Sequence, residues 1–142
     1  MAQAEIVETL AVDQSKLFAA ITSYEDYPDF VEGCTSVEVE RPEENLARVN
    51  YHVNLLKEIT YTLDLKADPK AGIIEWNLVQ SDFMKKNTGR WELKSAGAGK
   101  TQVKYSIDIE LKFPVPGLII NRLIKGSLPA MVRSFEKQAK KK

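Results

Sequence analysis

Apolar and polar residues alternate with a period of two over most of this chain, and with a helical period only near its two ends. Ala4 to Val12 is rich in β-forming residues, and Asp13, a good N-cap residue, precedes Gln14 to Ile21, where Leu17, Phe18 and Ile21 stand at helical spacing. This predicts one strand and then one short helix. Tyr24 to Val31 predicts a second short helical turn, interrupted by Pro28 and closed by Gly33.

Five alternating segments follow: Thr35 to Glu40, Leu46 to Val53, Ile59 to Ala67, Ile73 to Gln80 and Gly89 to Lys94. The longest, Val103 to Phe113, is the last. The breaks Arg41-Pro42-Glu43-Glu44-Asn45, Asp68-Pro69-Lys70-Ala71-Gly72 and Ser95-Ala96-Gly97-Ala98-Gly99 have turn chemistry and are too short for helical crossovers, so the sheet is an antiparallel meander. Each strand sends its apolar residues to one face, as in Tyr61, Leu63 and Leu65, or Ile74, Trp76 and Leu78. Arg48, His52, Asp64, Glu75, Arg90 and Asp108 lie opposite. One face is wet and the other must be covered.

The cover is read from Gly117 to the end, where Ile120, Ile124, Leu128, Met131, Phe135 and Ala139 fall on one helical stripe, with Arg122, Arg133, Lys137 and Lys140 opposite. Pro129 removes the bond to the carbonyl of Lys125, and Gly126 weakens the same turn. The resulting kink serves either to follow a curved sheet or to gate access beneath it. The helix start is apolar nearly all round, which puts Leu118 and Ile119 at the mouth of a pocket or transiently against a membrane surface.

These elements predict an α+β domain spanning residues 1–142, with one core. A helix is about 10 Å across, whereas seven strands at about 4.8 Å make a much wider sheet, so one helix cannot fill the concave face. The space left is lined by Tyr51, Tyr61, Trp76, Trp91 and Tyr105, whose polar atoms need partners when buried. Leu63, Leu78 and Ile107 join them from the strands, and Leu128, Met131 and Phe135 from the helix. An apolar or amphipathic small molecule is the expected ligand.

Composition narrows the function further. Lys+Arg and Asp+Glu balance at 20 each, which removes the global field that draws DNA or RNA. A single cysteine, Cys34, excludes an internal disulfide and suits a reducing compartment, and the start of the sequence lacks the pattern of a signal peptide, so a cytoplasmic location is expected. With one histidine, His52, on the wet face, neither a zinc site nor a Ser-His-Asp arrangement is available, and no cofactor is expected. Gly97-Ala98-Gly99-Lys100-Thr101 imitates the end of a phosphate-binding loop, but Lys94 stands where the motif needs glycine and a strand follows it, so it is a hairpin turn. Asp64, Asp108 and Glu110 point outward, so no paired-carboxylate acid/base site is expected in the pocket.

Tyr27-Pro28-Asp29-Phe30-Val31-Glu32-Gly33-Cys34 resembles the YPxFxxGC signature of the START-related polyketide cyclase/dehydrase and coenzyme-Q-binding proteins, a group that includes the bacterial ribosome-association toxin. Asp82 to Lys86 and Gly89-Arg90-Trp91 resemble the group's loop and GxW strand, and Ala130 to Phe135 its terminal helix. The resemblance implies a helix-grip fold and a lipid, quinone or polyketide-like ligand, and supplies no catalytic residues. Phe113-Pro114-Val115-Pro116 departs from the pattern, placing a stiff link before the last helix. Binding or transport is the leading expectation. A polyketide aromatase/cyclase and a ribosome- or protein-interaction module are the alternatives, ribosomes being disfavoured by the zero net charge.

Overall fold

A computed structural model describes residues 2–31, 33–54, 58–112 and 128–141. Seven antiparallel strands form one sheet in the order β1-β7-β6-β5-β4-β3-β2. They are β1 (Ala2–Leu10), β2 (Cys34–Glu43), β3 (Leu46–Asn54), β4 (Glu58–Asp68), β5 (Ile73–Ser81), β6 (Met84–Ser95) and β7 (Thr101–Leu111). Consecutive strands from β2 to β7 are neighbours, as the short turns require, and β1 closes the order by pairing with β7, Ile6 opposite Tyr105. Between β1 and β2 lie α1 (Gln14–Thr22), a 3-10 turn (Tyr24–Asp26) and α2 (Tyr27–Phe30). The terminal helix is described as α3 (Leu128–Lys140). This is the helix-grip arrangement expected from the sequence. No helix among the described residues is long and apolar enough to cross a membrane.

The boundaries differ from expectation where side-chain pattern and backbone pairing part company. β2 continues through Arg41-Pro42-Glu43, which the sequence marks as a turn. It is an edge strand, so proline loses no ladder bond there, and the reversal is left to Glu44 and Asn45. β6 begins at Met84, five residues before the expected Gly89, because Lys86 to Thr88 pair with Glu110 to Asp108 of β7 although their side chains do not alternate. β1 starts at Ala2 and stops at Leu10, and β7 starts at Thr101. Asp13 precedes α1 as expected but makes no side-chain cap. Its Oδ1 accepts from Gly99 N at 3.1 Å, tying the helix start to the β6–β7 hairpin.

That hairpin confirms the glycine turn: Gly97 and Gly99 have φ of 121° and 69°, and Ala96 N donates to Lys100 O at 3.0 Å. In β5, Thr62 faces Gln80 while Leu63 faces Leu78, so Val79 is the extra residue of a bulge and stands 42% exposed.

The core lies between the inner sheet face and the helices. Leu17 and Ile21 of α1, Val49, Ile74, Leu93 and Val103 of the sheet, and Val132, Phe135 and Ala139 of α3 are all fully or almost fully buried. Along α3 the buried stripe therefore runs through Val132, with Leu128 and Met131 only partly buried at its flank. The helix lies over α1 and β1. Glu136 Oε2 accepts from Ala11 N at 2.8 Å, anchoring it beyond the end of β1. The expected Ile120 and Ile124 contacts, and the kink involving Lys125 and Gly126, lie outside the described residues.

Candidate functional site

Every expected lining residue belongs to one apolar layer. Tyr51, Leu63, Trp76, Trp91, Tyr105 and Phe135 are buried, and Tyr61, Leu78, Ile107, Leu128 and Met131 pack against them partly buried. Strand register produces this convergence. Tyr51 stands opposite Tyr61, Leu63 opposite Leu78, and Trp91 opposite Tyr105, so the period of two carries one set of side chains across five strands.

The aromatic rings form two connected groups. Trp91 and Tyr105 meet edge to face at 4.7 Å, Trp76 lies 5.6 Å from Tyr105, and Phe135 of α3 reaches Trp91 at 5.2 Å. On the other side Tyr51 stacks on Tyr61 at 5.1 Å and lies 6.3 Å from Tyr27. Tyr27 and Phe30 of α2 both contact Phe135, at 5.2 and 5.0 Å, so α2 and α3 are joined through one phenylalanine. Tyr27 Oη donates to Ile21 O.

Tyr27, Tyr51, Tyr61 and Tyr105 all carry phenol hydroxyls into this layer. Burial raises the pKa of each well above that of a free phenol. The nearby Tyr27 and Tyr61 phenols add to the effect at Tyr51, and Tyr61 adds to it at Tyr105. Tyr51, Tyr61 and Tyr105 are therefore neutral at physiological pH. Cys34, at the start of β2, lies on the same side, its thiol pKa raised by burial.

Two polar residues in this layer escaped the sequence reading. Asn87 is 5% exposed and its Oδ1 accepts from Trp76 Nε1 at 3.0 Å, so it holds the indole in place. Counting back by twos from Trp91 through Gly89 reaches Asn87, a signal hidden by the lysines before it. Glu8 likewise falls between Ile6 and Leu10 on the inner face, where Arg133 Nη2 comes within 3.6 Å of Oε1 and buried Oε2 has no partner.

The outer face carries the charged residues that alternation predicts. Arg48 meets Asp64 at 2.7 Å and Lys86 meets Asp108 at 2.7 Å, and these hydrogen bonds hold both carboxyls below the usual range. His52 Nε2 lies 2.8 Å from Glu38, far from the aromatic layer. A shallow trough of about 330 Å³ crosses this face over β1, β7 and β6, between Gln3, Arg90 and Asp108. A smaller cleft, about 120 Å³, lies between α1 and the β2–β3 turn. Neither lies between the inner sheet face and the terminal helix, where the pocket is expected. Leu118 and Ile119, expected at the pocket mouth, lie outside the described residues. Among the described residues no cluster of His, Cys, Asp or Glu could hold a metal ion.

Solved structures share this architecture. The Zhui aromatase/cyclase from Streptomyces sp. R1128 superposes with a TM-score of 0.87 at 15% identity, over 99% of this chain and 94% of that one. A START superfamily protein from Mycobacterium smegmatis gives 0.84 at 17% identity, over 98% and 97%. Norcoclaurine synthase from Thalictrum flavum gives 0.74 at 10%, over 99% and 87%. At these identities the likeness is one of fold. No curated protein matches the sequence. A family model described as polyketide cyclase/dehydrase and lipid transport matches residues 10–136, from the end of β1 through most of α3, and the chain belongs to that family.

Proposed function

We propose that this protein binds and carries an apolar small molecule, of the lipid, quinone or polyketide type, in a cavity between the inner sheet face and the C-terminal helix. The observation that carries the proposal is the convergence of Tyr51, Tyr61, Trp76, Trp91 and Tyr105 from five strands, with Phe135 of the terminal helix, in one apolar layer on the inner sheet face. The family description, which includes lipid transport, supports the same conclusion. Each buried methylene of a ligand tail contributes about 0.8 kcal/mol before association costs, so a modest tail reaches micromolar affinity. Tyr51, Tyr61, Leu63, Trp76, Leu78, Trp91, Tyr105 and Ile107 form the sheet wall, and Leu128, Met131 and Phe135 the helix wall.

A second reading, a cyclase acting on a reactive polyketide in the same space, rests on the hydroxyls of Tyr51, Tyr61 and Tyr105 as proton donors and on the cyclase/dehydrase part of the family description. We place the protein in the cytoplasm, where Cys34 stays reduced.

Native mass spectrometry of freshly purified protein, followed by solvent extraction, tests the proposal. A lipid, quinone or polyketide near one per chain is the expected result. Protein that is empty and also takes up none of these in titration overturns it. Turnover of a bound polyketide that falls when Tyr51, Tyr61 or Tyr105 becomes Phe establishes the cyclase instead.

A further inference from the structure

Two buried polar atoms without a hydrogen-bond partner, Arg90 Nε and Asp108 Oδ1, belong to residues that wall one trough on the outer face of the sheet. Strand register builds those walls. Gln3, Asp108 and Thr88 stand side by side across β1, β7 and β6 as one row, and Glu5, Ser106 and Arg90 form the next outward row, two residues away. In the row between them, Ala4 and Ile107 turn to the inner face and Gly89 has no side chain, so backbone forms the floor. The two rows are about 7 Å apart along the strands. The space between them, about 330 Å³, is at the small end of ligand sites.

The walls differ in charge. On one, the side chain of Asp108 is 18% exposed, and its Oδ2 accepts from Lys86 Nζ at 2.7 Å and from Gln3 at 3.4 Å, which leaves Oδ1 over. On the other, Arg90 has three carboxylates around it. Glu75 is its register partner in β5, Glu5 lies in its own row, and Asp108 is its diagonal neighbour in β7. Among the described residues it forms an ion pair with none of them: Asp108 is taken up by Lys86, and Glu5 approaches Lys104 at 3.8 Å.

An unmet donor on one wall and an unmet acceptor on the other define the chemistry of a ligand. A buried polar group without a partner costs free energy, and a molecule that supplies the partner recovers it. A phosphate or a plain carboxylate would meet Arg90 but also face Asp108 and Glu5, and a plain amine would face Arg90. A molecule carrying both charges suits both walls.

We propose that this trough is a second binding site, for a small zwitterion of the α-amino acid type, its carboxylate met by the Arg90 guanidinium and its ammonium by Asp108 Oδ1. Both atoms are covered by their neighbours, so binding includes a rotation of the Arg90 side chain. The site lies on the opposite face of the sheet from the aromatic layer and stands independently of the carrier proposal.

The experiment is an NMR titration of the isotope-labelled full chain at neutral pH with three probes of similar size: L-alanine, N-acetyl-L-alanine, which lacks the ammonium, and L-alaninamide, which lacks the carboxylate. L-alanine is expected to shift the backbone amide signals of Gly89, Arg90, Ser106 and Ile107 saturably, with a Kd on the order of 1 mM. Each single-charge probe should bind at least about tenfold more weakly, the loss of one charge-assisted hydrogen bond. Arg90→Gln should erase the advantage of L-alanine over L-alaninamide, and Asp108→Asn its advantage over N-acetyl-L-alanine. A general loosening of the sheet would instead weaken all three probes together. Equal or tighter binding of either single-charge probe to the unmodified chain, or no saturable shift of these amides by L-alanine, overturns the proposal and leaves a trough that holds water. That comparison needs no variant to fold, and neither result bears on the carrier proposal.

Discussion

The indole of Trp76 fills the space in which a side chain on Gly89 would stand. The two residues are cross-strand partners, and a Cβ built on Gly89 would overlap Cζ2 of Trp76 and come within 2.7 Å of Cη2. The glycine of the GxW stretch is thus needed for space, since its backbone is not in the left-handed region. Gly89→Ala forces the indole to move, and overpacking of this kind costs about 1–3 kcal/mol. Urea unfolding should show a lower midpoint at unchanged slope, with altered tryptophan fluorescence.

Asn87 fixes the other edge of the same indole. Asn87→Ala strands the Trp76 N–H in a buried setting and should cost about 1–3 kcal/mol. Replacing both partners, Trp76→Phe with Asn87→Leu, removes the unpaired group and should recover part of that loss. A double-mutant cycle showing no coupling would remove Asn87 as the anchor.

High pH should unfold the protein through its tyrosines. Burial raises the Tyr24 pKa to about 12 against the pull of Arg41, and raises those of Tyr27, Tyr51, Tyr61 and Tyr105. An unfolded phenol titrates near 10, so the neutral ring favours the folded state. That contribution is complete below about pH 10 and is lost as pH rises through the folded values. Phenolate absorbance and loss of circular dichroism should therefore rise together in one alkaline transition. Phenolate appearing at about pH 10 with the fold intact would show these rings to be accessible.

Leu63 tests the site without touching a hydroxyl. It is 5% exposed on the inner face, opposite Leu78. Leu63→Trp should fill the proposed cavity and reduce binding of the lipid, quinone or polyketide identified by extraction at least about tenfold while thermal unfolding remains cooperative, a tenfold loss corresponding to about 1.4 kcal/mol. Unchanged affinity in a folded variant would place the ligand elsewhere.

The strands and their facing were legible because a half-buried antiparallel sheet writes its two environments into alternate residues. Tyr51, Tyr61, Trp76, Trp91 and Tyr105 could be assigned to one layer from that alternation alone. The same signal failed at Lys85 to Thr88, where β6 is held by backbone pairing to β7 while its side chains serve other ends. It also failed at Arg41-Pro42-Glu43, since turn chemistry and an edge strand look alike in one dimension.

The sequence by itself determined the α+β class, the meander, the apolar face and the candidate lining, because periodicity and turn residues act locally. Only the tertiary structure decided that Phe135 bridges α2 to Trp91, that Asn87 holds Trp76, and that Asp13 bonds the β6–β7 hairpin instead of capping its own helix. It also decided which charges near the inner layer are already paired: Arg41 goes to Glu25, and Arg133 to Glu8 and Glu136. Apart from Arg133 and Glu136, which are one helical turn apart, these partners are well separated along the chain and their residue types carry no record of one another. Their pairing follows from strand order and helix docking, which bring distant side chains to a common depth where an uncompensated polar group is costly.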